Sequence, residues 1–76
     1  MNLRTASYHV RRVLGKLCEC KPGTGCLLVE ADRRHATQLI RNDWAEWIQG
    51  GPLRVYMATK SGRQAWDEFT HKGDTQ

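Results

Sequence analysis

Between Thr5 and Cys20, apolar side chains recur at Ala6, Val10, Val13, Leu14 and Leu17, a spacing that gathers them on one stripe of a helix. Thr5 is suited to cap its start, and Arg11, Arg12 and Lys16 fall on the opposite side. Gly15 weakens such a helix by up to about 1 kcal/mol relative to alanine, so it marks a point where another element comes close. Lys21 to Gly25 holds Pro22 and two glycines and reads as a loop. Cys26 to Glu30 predicts a short buried strand, although a run of four apolar residues also suits a helical turn.

Asp32 is the next N-cap candidate, followed by a helix from Arg33 to Asn42 with Ala36, Leu39 and Ile40 turned inward. Its outward side carries Arg33, Arg34, Thr37, Gln38 and Arg41, with no acidic residue among them. Beyond Asp43, a continuation of the helix through Trp47 competes with a strand over Trp44 to Gln49. The strand is preferred. Gly50-Gly51 suits a two-residue turn, and Leu53, Val55 and Met57 alternate with Arg54 and Tyr56, so Trp44 to Met57 fits a hairpin with Pro52 opening its second strand at an edge. Thr59 caps a helix from about Lys60 to Thr70, with Ala65, Trp66 and Phe69 inside, and His71 to Gln76 forms a polar tail. The order helix, strand, helix, hairpin, helix describes one α+β domain over residues 1–76.

Composition narrows the functional classes. Seventy-six residues, 39% hydrophobic and 26% charged, make a small domain with a modest core and no room for a deep walled site. The longest apolar run, Cys26 to Val29, is far short of the roughly 20 residues that cross a bilayer, and polar Asn2 and Arg4 stand where a signal peptide would be apolar. Three cysteines, an odd number, suit reduced thiols better than a disulfide framework. A cytoplasmic protein without a membrane partner is expected. The net charge of +4 is uneven: residues 1–41 carry eight basic and three acidic side chains, residues 42–76 four and five. The basic half calls for an anionic partner.

No constellation for catalysis or cofactor binding stands out. Cys18, Cys20, Cys26 and His35 hold the right atoms for zinc, but one intervening residue between Cys18 and Cys20 departs from the two to four typical of a closed site. The Lys21 to Gly25 segment lacks the Gly-Lys-Ser/Thr ending of a phosphate loop. The sequence therefore reads as a non-enzyme without cofactor. Of Trp44, Trp47 and Trp66, most are expected in the core, with one left partly exposed.

Two stretches resemble known families. The hairpin closed by glycines and followed by Met57, Ala58, Thr59, Lys60, Ser61, Gly62 and Arg63 looks like the end of winged-helix domains, where a wing strand runs into a Thr-x-x-Gly-Arg helix start. Gln38 to Glu46 is similar to the exit of a winged-helix recognition helix into its first wing strand. The resemblance implies a winged-helix-like fold in which the Arg33 to Asn42 helix enters a major groove and the hairpin meets the backbone. Ala36 to Ile40 followed by Trp44-Ala45-Glu46 is also similar to small phage and mobile-element proteins, among them anti-CRISPR-type inhibitors of host complexes.

Two functions follow. In the first, the chain binds duplex DNA as a small regulator: Arg33, Arg34, Thr37, Gln38 and Arg41 read bases, arginine pairing with guanine and glutamine with adenine, while Arg11, Arg12, Lys16, Arg54 and Lys60 neutralise phosphates. In the second, the same basic face docks on an acidic face of a host protein complex, with Trp47 or Tyr56 as an apolar anchor. The acid-free helix face favours DNA. The short space for a second helix, Pro22 to Ala31, favours the inhibitor.

Overall fold

Helix α1, Tyr8–Glu19, begins where Ser7 accepts a hydrogen bond on its hydroxyl from the Val10 amide (3.2 Å). The computed structural model describes residues 3–20 and 25–74, with side chains through residue 70. Thr5, expected as the cap, instead closes a separate 3-10 turn, Leu3–Thr5, fixed by the Ala6 amide donating to the Leu3 carbonyl. Val10, Val13, Leu14 and Leu17 are buried, as their spacing requires.

The strand expected over Cys26 to Glu30 shrinks to one bridge. Cys26 and Tyr56 exchange both backbone hydrogen bonds (2.7 and 2.8 Å), but only Leu28 is buried, while Leu27 and Val29 are 61% and 62% exposed. The chain turns helical early because the Val29 carbonyl already accepts from the Asp32 and Arg33 amides. Helix α2 is therefore Glu30–Arg41, three residues longer at its start than expected and one shorter at its end, and Asp32 lies inside it as a buried residue instead of a cap. The phase is otherwise as read: Ala36 and Leu39 are buried and Arg33, Arg34, Thr37, Gln38 and Arg41 exposed.

Paired backbone bonds end α2. Trp44 donates to the Leu39 carbonyl (2.9 Å) and Asp43 to that of Ile40 (3.0 Å), with Asp43 in the left-handed region at φ 62°. This doubly bonded stop, with Asp43 in place of the usual glycine, decides for the hairpin against a longer helix. Strands β1, Ala45–Gly50, and β2, Leu53–Ala58, pair antiparallel with Gly50 opposite Leu53. The turn is thus Gly51-Pro52, one residue later than expected. Gly51 takes the positive φ of 65° that a first turn position of this kind needs, and Pro52 sits in the turn, not in the strand.

Helix α3, Lys60–Asp74, carries the backbone past the expected end at Thr70, so much of the expected polar tail is helical; residues 75 and 76 lie outside the described part, as do residues 21–24 of the expected loop. Its start is tied down at several points. Thr59 accepts from the Gly62 amide (3.0 Å), donates its hydroxyl to the Asp43 carbonyl (2.6 Å), and donates its own amide to Trp44 (2.9 Å). Arg63 donates to the carbonyls of Cys18 (3.1 Å) and Cys20 (3.2 Å) at the end of α1. Trp66 lies against Gly15, confirming the close approach that glycine implied.

The expectation of three reduced thiols is not met, because Cys20 and Cys26 are joined as a disulfide with Cα atoms 6.2 Å apart. That separation is within bridging range, and it follows from the end of α1 facing the segment that bridges to β2 at Tyr56. Cys18 stays free and half-buried; burial pushes its thiol pKa up, Arg63 opposes and Asp67 adds to the rise. Such a thiol is poorly reactive.

Gly62 supplies a test of this packing. A β-carbon there would run into the Trp44 carbonyl. Alanine favours helices over glycine, yet Gly62→Ala is expected to lower stability by about 1 to 3 kcal/mol through overpacking, read from urea denaturation. A stabilised variant would show that the α3 start is not held against Trp44.

Candidate nucleic-acid interface

Helical periodicity places Arg34, Thr37, Gln38 and Arg41 on one strip of α2, with Arg33 beside them and all five exposed. Arg34 and Arg41 have no hydrogen-bonding or ionic partner among the described residues. Arg33 reaches back through Nε to the Leu28 carbonyl at 3.4 Å, and Thr37 donates its hydroxyl to the Arg33 carbonyl at 3.2 Å. The Gln38 main-chain carbonyl accepts from Asn42 Nδ2 at 2.8 Å, and Gln38 itself is exposed. Because α2 starts at Glu30, one carboxylate heads the same strip, so the acid-free stretch runs from Arg33 to Arg41 only.

Arg12 and Lys16, expected at phosphates, also share a carboxylate within the chain. Arg12 Nη2 and Lys16 Nζ grip the two oxygens of Asp32 at 3.1 and 2.9 Å, with the Asp32 side chain only 3% exposed and the two cations about half exposed. The Lys16 hydrogen bond is the main cause holding the Asp32 carboxyl below the usual carboxylate range; burial opposes it, and the charges of Lys16, Arg12 and His35 assist. His9 stacks on His35 along the same α1–α2 seam, ring centroids 5.2 Å apart. Arg11 is also engaged, donating to the Ala6 carbonyl at 2.7 Å with its guanidinium 5.5 Å from the Phe69 ring centre.

On the hairpin, Arg54 lies over the Trp47 ring at 4.3 Å, a cation–π contact between residues diagonal across the strands. Trp47 is 40% exposed and Ile48 and Leu53 about half. Tyr56, the other proposed anchor, is buried under the hairpin and offers no contact surface. Lys60 is exposed at the first position of α3. Among the described residues, no three His, Cys, Asp or Glu side chains gather as a metal site, and no helix is long and apolar enough to cross a membrane.

No protein-family model, curated protein or solved structure matches the chain.

Asp32 generates a pH prediction. Its folded pKa is depressed, so its contribution is complete above the unfolded value of about 3.9 and is lost as pH falls through the folded one. Urea midpoints of the wild type should drop below about pH 4. Asp32→Asn should lose about 1.5 to 3 kcal/mol at pH 7, the range for hydrogen bonds to charged groups, and lose less further stability on acidification. Equal acid sensitivity in both proteins would place the titrating group elsewhere.

Proposed function

We propose that this protein is a small cytoplasmic DNA-binding protein, regulator-like and of the phage or mobile-element kind, that reads duplex DNA with α2. The observation that carries the reading is the outward face of that helix, where three arginines, a glutamine and a threonine stand exposed while the opposite side, with Ala36 and Leu39, is locked into the core. A twelve-residue helix is about 18 Å long, enough to lie in a major groove, and arginine and glutamine side chains pair bidentately with guanine and adenine. Arg54 on the hairpin and Lys60 add cationic contacts to phosphates. The likeness to winged-helix domains, carried by the hairpin and the Thr59 to Arg63 helix start, supports the same reading. In a reducing cytoplasm the Cys20–Cys26 bond would open. The two backbone hydrogen bonds between Cys26 and Tyr56 are further ties on the same segment.

A second reading has its own observation. The hairpin presents Trp47, Ile48 and Leu53 partly exposed, and such an apolar tip next to a basic helix fits an inhibitor docking on an acidic protein surface.

Fluorescence anisotropy with random-sequence duplex at several salt concentrations separates the two. With the Asp32 carboxylate cancelling one of the Arg12 and Lys16 charges, about four of the five cationic contacts remain to neutralise phosphates, so log affinity should fall against log salt with a slope of about −3 to −4. No binding at low salt would sink the DNA reading and favour the inhibitor. Arg34→Ala and Gln38→Ala should each weaken specific binding by about 1 to 3 kcal/mol while leaving stability within about 0.5 kcal/mol. Leu39→Ala should instead destabilise by about 2 to 5 kcal/mol, since Leu39 is fully buried.

A further inference from the structure

A long groove follows the outer side of α1 where α3 packs beside it, and its residues are distinct from the outward face of α2. Its floor is aromatic: Trp66 and Phe69 lie side by side, centroids 5.9 Å apart, and Tyr8, 65% exposed, stands at one end. Gly15 contributes no side chain midway, so the indole of Trp66 comes directly against the α1 backbone and the surface stays low there. The groove holds about 550 Å³ and is open along its length, which suits a rod-like segment better than an enclosed small molecule.

The charge beside that floor is cationic. Arg11 donates to the Ala6 and Arg4 carbonyl oxygens and overlies Phe69, so no carboxylate neutralises it in these contacts. Arg12 and Lys16 share the single carboxylate of Asp32, leaving one of their two charges uncompensated, and both remain about half exposed. The one acidic lining residue, Glu19, sits at the last position of α1, opposite the Tyr8 end. An aromatic floor with excess positive charge at its Tyr8–Arg11 end complements an amphipathic helix that is apolar on one side and acidic on its flanks.

We infer that the α1–α3 groove is a docking site for an acidic amphipathic helix of a partner protein. Apolar side chains at helical spacing cover Trp66, Phe69 and Tyr8, and flanking carboxylates meet Arg11 and the one charge that Asp32 leaves over on Arg12 and Lys16. The site does not rest on the reading of α2, and a DNA-bound or DNA-free chain presents the same groove residues.

The test uses the full chain and a synthetic helical peptide with leucines at i, i+4 and i+7 and glutamates on the flanking positions, followed by anisotropy of a label on the peptide. The acidic peptide should bind at least about tenfold tighter than the same peptide with lysines for glutamates, and the preference should shrink with added salt. Tyr8→Asp places an acid on an exposed position of the groove; it should weaken binding by about tenfold without moving the thermal midpoint. Equal binding of both peptides, or unchanged affinity in Tyr8→Asp, overturns the proposal. So does displacement of the peptide by a single-stranded oligothymidine, which would make the aromatic floor a base-stacking platform, or self-association of the chain through this groove.

Discussion

The carboxylate of Asp32 is the constraint on which the arrangement of helices depends. A nearly buried anion is tolerable only if it is paired, and the pairing groups come from one helix, Arg12 and Lys16 at positions one turn apart on α1. That requirement fixes the rotation of α2 about its own axis. With Asp32 turned toward α1, Ala36 and Leu39 are carried into the core by the helical repeat, and the arginines on the other side have nowhere to go but outward. The exposed face proposed to read DNA is therefore a geometric consequence of a buried ion cluster on its reverse.

Much of this was legible in the sequence because periodicity reports phase. The inward set of α1, the outward set of α2, the hairpin and the Thr59 cap all follow from spacing and turn chemistry. What escaped was what depends on residues distant in the chain. Asp32 has the composition of a cap, and only the approach of α1 turns it into the centre of an ion cluster. Ser7 displaced Thr5 because the Leu3–Thr5 turn takes up the earlier residues. The pairing of Arg12 and Lys16 was hidden because their shared carboxylate lies sixteen to twenty positions away. The pairing of Cys20 with Cys26 needed the end of α1 brought beside the segment that bridges to Tyr56.

The start of α3 shows how a short motif acquires a structural reason. Thr59 engages both Asp43 and Trp44, Gly62 lets the helix approach the Trp44 carbonyl, and Arg63 satisfies two carbonyls where α1 ends. The Thr-x-x-Gly-Arg pattern that resembles winged-helix domains is thus, in this chain, the fastening that holds the last helix against the exit of α2 and the end of α1.

That fastening has a consequence for the order in which the chain can assemble. The two Arg63 hydrogen bonds span 45 and 43 residues, more than half of the sequence, whereas α1, α2 and the hairpin are each closed by neighbours. Ordering so long an intervening stretch carries a large entropic penalty until other contacts have already drawn its ends together, so these bonds belong to the late stages of folding. During synthesis the carbonyls of Cys18 and Cys20 lack the donors that Arg63 supplies until the last helix has emerged, and the complete domain is a property of the whole chain, not of its basic first half.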